Sequence, residues 1–410
     1  MVEHNNCFMQ RIYQTIIQEH LQAYQQMLFL AGPRQVGKTT LLQANKAWNS
    51  HFNYYNWDNL DDREKILRGS KHLLSDIKLD VAFDQKPILA FDEIHKYKQW
   101  KTFLKGLYDA HKAEISIEAS GSAKLDIYRQ GGDSLMGRYF LYRVHPLSVG
   151  ELVRPVPSST LLASPTYVSE EQLKSLFLLG GFPEPFLKQE MSFYNRWQAL
   201  RERQMIFEDI RSLSHIHDLA QLQVLAKLLK YQVGSTVKYS ELAKKVRVSQ
   251  PTIQAWLNVL SHFYYCFMIR PWTQNVTRSL LKEPKVYLWD WSCIPDHGAR
   301  IENLVASHLL KSIHYWMDTG KGKYDLYFLR TKDQKEIDFI ITENEKPWLL
   351  VEVKASKNAA LNPHLVEFKE ALGAAHAFQI AFDMPYMDID ILTLSKPKIV
   401  PLVSFLAQLV

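Results

Sequence analysis

Short apolar runs, each followed at once by polar or glycine-rich sequence, recur in the first third of the chain. They cover residues 28–31, 87–91 and 115–120. Buried parallel strands have this pattern because helices cover both faces of their sheet. A helix-like stretch at 100–112 lies between two of the runs. The alternation predicts an α/β fold with a parallel sheet covered by helices.

Prolines and serines interrupt this pattern between residues 154 and 169, where neither a helix nor a central strand is expected. Strand-like runs return at 327–330, 337–341 and 348–353. We therefore predict three domains, at 1–160, 161–290 and 291–410.

The middle segment has a helical pattern from residue 170 to 231 and again at 240–243 and 248–257. Ser240 and Ser249 stand at expected helix N-caps, and Pro251 suits a first helical turn. Two short capped helices followed by the apolar run 263–269 predict a winged helix-turn-helix. This motif either holds DNA or packs against the rest of the protein. Basic residues available for phosphate contacts are Lys238, Lys244, Lys245 and Arg247.

Composition narrows the class of protein. The 410 residues are 47% apolar and 22% charged, which excludes a disordered chain, and the net charge of +6 permits a polyanionic partner without requiring one. Three cysteines without CxxC spacing exclude a disulfide framework and a cysteine zinc site. No apolar run reaches the ~18 residues of a membrane span, and the polar residues 1–11 do not resemble a signal peptide. We expect a cytoplasmic protein without a membrane partner.

A glycine-rich loop follows the first apolar run and fits the pattern GxxxxGK[ST]. Backbone N–H groups of such a loop surround the β-phosphate of ATP, Lys38 reaches the β and γ oxygens, and Thr39 offers a hydroxyl to Mg²⁺. We predict ATP and Mg²⁺ as cofactors. The predicted nucleotide-binding residues are Gly32, Pro33, Arg34, Gln35, Val36, Gly37, Lys38, Thr39 and Thr40.

Two carboxylates end the second apolar run, at Asp92 and Glu93. Beside a phosphate loop, Asp92 is expected to hold the magnesium shell and Glu93 to polarise the attacking water. Ser122 follows the third run, where it either senses the γ-phosphate or caps the local backbone.

In this order the motifs resemble the AAA+ ATPases of bacteria and archaea that carry a carboxy-terminal domain of the DUF4143 type. The matching segments are GPRQVGKTT at 32–40, FDEIHK at 91–96, SGSA at 120–123, GR at 137–138, HPLSVGEL at 145–152, GGFPE at 180–184, EN at 302–303, EIDFI at 336–340 and EVKAS at 352–356. The resemblance implies a P-loop AAA+ sheet and a homo-oligomer. It also implies that Arg138 contacts nucleotide from a neighbouring subunit, although Arg129 and Arg143 compete for this role and a plain surface arginine is the alternative.

Carboxylates also interrupt the apolar runs of the last third. Alternation places Glu352 and Lys354 on one face of a strand, and a hairpin would bring Asp338 opposite Glu352. This is the D…ExK arrangement of restriction-endonuclease-like domains, the PD-(D/E)xK type, with Glu302 as an additional ligand. In that interpretation Glu302, Asp338 and Glu352 hold Mg²⁺, and Lys354 orients or deprotonates the attacking water. The alternative is the solvated face of a strand.

The combined hypothesis is an Mg²⁺-dependent ATPase that couples its nucleotide state to a DNA-binding or nuclease-like carboxy-terminal domain, with DNA favoured over RNA. The alternative is an ATP-operated binding switch or regulator whose nuclease-like domain is inactive. A third class, a protein-remodelling machine, gains little from the sequence.

Overall fold

The computed structural model describes residues 9–77, 83–121, 135–211, 216–273 and 282–410. The chain divides into two compact units. The first consists of residues 1–144 and 154–157, and the second of residues 145–153 and 158–410.

The first unit is a five-stranded parallel sheet with helices, which confirms the predicted fold class. Its strands are β1 Met27–Ala31, β2 Phe52–Asn56, β3 Ile88–Asp92, β4 Ser116–Gly121 and β5 Tyr139–Arg143. Its helices are α1 Ile12–Ala23, α2 Lys38–Ala44, α3 Leu60–Leu67, α4 Ser70–Ile77 and α5 Trp100–His111, with 3₁₀ turns at Asn45–Ala47 and Ile94–Lys96.

The strand order in this sheet is β2-β3-β4-β1-β5. Three central strands are buried along their whole length, and Phe29, Phe91 and Ile117 pack in one core with Trp100 and Leu104 of α5. Because all five strands are parallel, the loops that follow β1, β3 and β4 leave the sheet at the same edge.

A glutamate lies at the centre of this sheet. Glu118 of β4 is fully buried between Leu28 of β1 and Ala90 of β3. Asn45, directly after α2, donates from Nδ2 to both of its carboxylate oxygens at 2.7 and 2.9 Å. Burial raises the pKa of Glu118 to about 8. The folded unit therefore holds this carboxyl largely protonated at neutral pH.

The second unit contains a seven-stranded mixed sheet in the order β12-β11-β10-β9-β8-β6-β7. Its strands are β6 Cys266–Pro271, β7 Lys285–Leu288, β8 Tyr324–Arg330, β9 Glu336–Glu343, β10 Lys346–Lys354, β11 His376–Ala381 and β12 Lys398–Pro401. Its helices are α6 Val149–Val153, α7 Glu170–Leu179, α8 Pro183–Lys188, α9 Met191–Gln204, α10 Leu219–Leu229, α11 Tyr239–Val246, α12 Gln250–His262, α13 His297–Asp318, α14 Pro363–Leu372 and α15 Leu402–Gln408. A π-helical turn at Met205–Ile210 and 3₁₀ turns at Trp291–Cys293 and Ile391–Thr393 complete the described elements.

Helices α10, α11 and α12 precede the antiparallel hairpin of β6 and β7. Val233 and Thr236, between α10 and α11, form bridges to β7. The other edge of the hairpin continues into the sheet, because β6 pairs with β8 in parallel at Arg270 and Pro271. Ser249 caps α12 as predicted, since Thr252 N donates to its hydroxyl at 3.2 Å.

The N-cap prediction at Ser240 is wrong. Helix α11 begins at Tyr239, so its N-cap is Lys238, two residues before the predicted cap. Lys238 makes no side-chain cap hydrogen bond. The amphipathic pattern of this helix is strong, with Leu242, Ala243 and Val246 buried. Burial of that face outweighs the contribution of a cap, which is only ~1 kcal/mol.

A buried ion pair holds the segment at 145–152 against α13 within the second unit. Lys311 of α13 pairs with Glu151, and both side chains are almost completely excluded from solvent. The Lys311 ammonium also donates to the carbonyl of Pro146 at 3.1 Å and to the hydroxyl of Ser148 at 2.8 Å. These added hydrogen bonds offset the cost of burying the two charges.

Helices long and apolar enough to span a bilayer do not occur in the part of the chain that the structure describes.

Replacing Glu118 by Gln should stabilise the first unit at high pH and have little effect at low pH. The carboxyl ionises near pH 4.5 in the unfolded chain but near pH 8 in the folded one, so wild-type stability falls as pH rises between these values. The expected gain at pH 8 is roughly 2 to 4 kcal/mol. Thermal unfolding at pH 5 and pH 8 measures it. The exposed Glu114→Gln is the matched control, and an equal shift at both pH values would contradict the assignment.

Candidate functional site

The glycine-rich loop joins β1 to α2 and has a conformation that its two glycines permit. Gly37, the N-cap of α2, has φ of +99°, in the left-handed region. A Cβ on Gly32 would lie 2.3 Å from the carbonyl oxygen of Val144, closer than any real contact. Val144 N in turn donates to the carbonyl of Ala31 at 2.7 Å. The backbone after β5 therefore fixes the start of the loop.

Lys38 lies inside this loop. Its ammonium donates to the carbonyls of Gly32 and Pro33 at 2.9 and 2.8 Å, and its side chain is buried. Burial lowers the pKa of Lys38 to about 8, and the nearby Glu93 and Asp92 oppose this shift. The loop thus carries a cation at pH 7 in the position where a phosphate chain would meet it.

The carboxylate of Asp92, at the end of β3, is the hydrogen-bonding centre of the site. Thr39 donates its hydroxyl to Asp92 Oδ2 at 2.6 Å, and Tyr54 of β2 donates to the same oxygen at 2.7 Å. Ser120 of β4 and the backbone N–H of Glu93 donate to Oδ1. Sequence reasoning missed Tyr54 and Ser120, and the SGS segment after the third apolar run was a signal for the latter.

The donor set here fits a magnesium ion. Mg²⁺ prefers oxygen ligands and is commonly held by one or two protein oxygens together with substrate phosphates. The hydroxyl of Thr39 and the carboxylate of Asp92 already lie in contact, beside the phosphate loop. These two residues would hold the ion.

Glu93 follows in a strained backbone conformation, with φ of +53°. Its Oε2 lies 3.5 Å from the ammonium of Lys96 and 3.8 Å from Nε2 of His95. Lys96 also pairs with Asp58 at 2.6 Å. Burial lowers the pKa of His95, so of these two neighbours Lys96 is the one that carries a charge beside the Glu93 carboxylate.

Arg138 lies at the opposite edge of the sheet from the loop. It directly precedes β5, and Met27 at the start of β1 donates its N–H to the carbonyl of Arg138 at 2.8 Å. Its guanidinium makes a bidentate pair with Asp109, at 2.7 and 3.0 Å. The competing Arg143 ends β5 in register with Ala31, directly before the loop. Ser122 and Arg129 lie outside the described residues.

The second unit brings together the four side chains expected to form a nuclease-like centre. Strands β9 and β10 form the predicted antiparallel hairpin. The N–H of Val353 donates to Asp338 Oδ2 at 2.8 Å, and Lys354 donates to Glu352 at 2.7 Å. Glu302 lies on α13, and its charge and that of Glu352 help raise the pKa of Asp338 well above its usual range, after the larger effect of burial.

Sequence reasoning missed a buried cation in this cluster. Lys285 of β7 has a side chain only 3% exposed. Its ammonium lies 2.6 Å from Glu336, 3.3 Å from Glu302 and 3.9 Å from Asp338. Tyr287, also of β7, donates its hydroxyl to Glu302 at 2.7 Å. The short strand Lys285–Leu288 lies in an apolar run at 286–289, and that run was the signal that could have located it.

Carboxylate oxygens of this cluster accept hydrogen bonds from other side chains. Among the described residues, no group of three or more His, Cys, Asp or Glu side chains is arranged to hold a metal ion. The Oε1 atom of Glu302 accepts from Tyr287 and Lys285, and Oε1 of Glu352 accepts from Lys354 and Asn362. The metal role of Glu302, Asp338 and Glu352 stays a prediction.

Comparison with protein-family models divides the chain into three matched segments. Residues 24–153 match an AAA domain. Residues 170–295 match the domain of unknown function DUF8612, and residues 297–395 match the domain of unknown function DUF4143.

Relatives of this chain occur in archaea and in mycobacteria. The uncharacterized protein MJ1637 of Methanocaldococcus jannaschii is 25% identical over 378 residues, which cover 82% of this chain and 76% of that protein. The uncharacterized protein Rv2008c of Mycobacterium tuberculosis is 23% identical over 339 residues, which cover 78% of this chain and 69% of that protein.

Among solved structures, AMPPCP-bound DnaA from Aquifex aeolicus matches with a TM-score of 0.32 and 13% identity, over 62% of this chain and 88% of that one. PCH-2 of C. elegans matches with a TM-score of 0.24 and 13% identity, over 60% of this chain and 65% of that one. Together with the five-stranded parallel sheet, the family matches indicate a nucleotide-binding AAA domain in the amino-terminal part of the chain, followed by segments that match two domains of unknown function.

Proposed function

We propose that the AAA domain hydrolyses ATP with Mg²⁺, and that its nucleotide state controls nucleic-acid binding by the second unit. One observation supports ATP hydrolysis with Mg²⁺ by the AAA domain. Lys38 lies in the phosphate loop while Thr39 and Asp92 hydrogen-bond to each other beside it, so a cation for the phosphates and two oxygen ligands for Mg²⁺ occupy one place.

Each residue of the site has a role in this reaction. The Lys38 ammonium neutralises the β and γ oxygens, and Glu93 orients the attacking water and accepts its proton. Tyr54 and Ser120 hold the Asp92 carboxylate in one orientation, beside the Thr39 hydroxyl and the phosphate loop. Bound Mg²⁺ supplies neutralisation of the charge that develops on the transferring phosphoryl group.

The helical part of the second unit supports the nucleic-acid role. Three helices followed by an antiparallel hairpin, with the segment after α10 bridged to β7, are the elements expected of a winged helix. Lys244, Lys245 and Arg247 are exposed at the end of α11, next to the capped start of α12. We propose duplex DNA as the partner, because a helix presented in this way fits the major groove.

We propose binding by this unit rather than cleavage. Metal-dependent cleavage needs carboxylate oxygens that are free to ligate a divalent ion. Ammonium, hydroxyl and amide groups of the protein already engage one oxygen, Oε1, of Glu302 and of Glu352.

Lys38→Ala should lower the rate of ATP hydrolysis by at least about 100-fold, because the transferring phosphoryl group loses its main cationic partner. Steady-state phosphate release with saturating Mg²⁺ and ATP measures this effect. The matched control is Lys46→Ala, which changes an exposed lysine in the 3₁₀ turn directly after the same helix. Hydrolysis by Lys38→Ala at the wild-type rate would refute the ATPase proposal.

Arg138→Ala should be complemented by Lys38→Ala when the two proteins are mixed. Arg138 lies at the far edge of its own sheet, so it can serve only the loop of a neighbouring subunit. A mixed oligomer then contains sites with an intact loop and a donated arginine. Each variant alone should be nearly inactive, and the mixture should recover measurable phosphate release. Arg138→Ala with wild-type activity, or a mixture no more active than its parts, would argue against the role.

The triple variant Lys244→Glu, Lys245→Glu, Arg247→Glu should weaken binding of a DNA duplex at least about tenfold and flatten its salt dependence. Fluorescence anisotropy at several salt concentrations measures both. A second triple variant of the same charge change at other exposed helical sites, Lys174→Glu, Lys188→Glu, Arg203→Glu, is the control. Equal loss in both variants, or no binding by wild type, would leave packing as the role of these helices.

A further inference from the structure

The carboxylate cluster of the second unit contains its own cation. Four acidic side chains, Glu302, Glu336, Asp338 and Glu352, come from α13, β9 and β10. Carboxylates gathered in this way, with side chains between 7% and 30% exposed, require a counter-charge, because an uncompensated carboxylate shielded from water is costly.

Lys285 supplies that counter-charge from β7. Its ammonium is within 4 Å of three of the four carboxylates and is nearly closed off from solvent. The ring of Phe328 adds a further contact, with its centroid 5.4 Å from the same nitrogen. Lys354 faces the fourth carboxylate at 2.7 Å, and Arg330 lies 3.5 Å from Glu336.

A divalent ion bound to Glu302 and Asp338 would have to share their oxygens with this ammonium. Two cations at such short separation repel strongly in a desolvated site. The tightly packed neighbourhood of Glu302 leaves little room for adjustment, since a Cβ on Gly234 would already lie 2.8 Å from its Oε2.

We infer that Lys285 takes the place of a divalent metal in this cluster. The cluster is then a structural ion-pair network and not a metal centre. This network connects the hairpin strand β7 to α13 and β9. It therefore fixes the helices and hairpin proposed to bind nucleic acid onto the terminal sheet. The inference does not depend on ATP hydrolysis.

Manganese binding to nucleotide-free protein tests this directly, by electron paramagnetic resonance or calorimetry. Wild type and Asp338→Asn should bind Mn²⁺ equally, because no ion occupies the cluster. A lower Mn²⁺ stoichiometry in Asp338→Asn would overturn the inference. This comparison needs no change at Lys285, and it leaves the phosphate loop of the first unit intact.

Removing the Lys285 ammonium should free the carboxylates of the cluster to bind a divalent ion. Lys285→Met should gain one Mn²⁺ site at this cluster, with a dissociation constant at least tenfold below that of any Mn²⁺ binding to the cluster in wild type. The double variant Lys285→Met, Asp338→Asn should lose this site again. The thermal midpoint of Lys285→Met should fall and recover partly with Mg²⁺. The exposed Lys323→Met, on the turn before β8, should show neither effect. A folded Lys285→Met that gains no Mn²⁺ would overturn the inference.

Discussion

The carboxylate of Asp92 is the point on which the nucleotide site depends. It accepts hydrogen bonds from Thr39 at the start of α2, from Tyr54 of β2, from Ser120 of β4 and from the backbone after its own strand. These donors lie on four different elements, so the carboxylate can keep its position only if the strand ends stay in register. The parallel pairing of β1 through β4 maintains that register. The geometry around Asp92 therefore depends on the same strand pairing that holds the sheet together.

Both units contain ionisable side chains that are shielded from water. Three such groups of residues compensate their charge in three different ways. Among the described residues, the amide of Asn45 is the side-chain partner of Glu118, and burial favours the protonated form of this carboxyl. Lys311 and Glu151 form a pair supplied with extra hydrogen bonds. The cluster around Lys285 gathers several carboxylates about one ammonium. In an interior of low dielectric constant, each arrangement is strongly preferred over any in which one partner is displaced. Such contacts specify how helices and strands meet.

The elements best predicted from the sequence were those whose pattern is local. Apolar runs at 28–31, 87–91 and 115–120 correspond to β1, β3 and β4, and the stretch at 100–112 to α5. Strand β2 was missed, because its sequence Phe52-Asn-Tyr-Tyr-Asn contains asparagines and is only partly buried. The helical segments predicted at 240–243 and 248–257 correspond to α11 and α12. The cap predicted at Ser240 was wrong, because burial of one helical face and not a capping side chain determines where α11 begins.

By itself the sequence determined the phosphate loop, since GPRQVGKTT requires only local backbone geometry and a following helix. It also placed Asp338 beside Glu352, because strand alternation and a short hairpin are local rules. Only the tertiary structure decided that Tyr54 and Ser120 hold Asp92, that Arg138 lies at the far edge from its own loop, and that Lys285 reaches Glu302 and Asp338. Those contacts join elements far apart in the chain. Their distances follow from sheet order and helix packing, which periodicity and spacing along a single sequence do not encode.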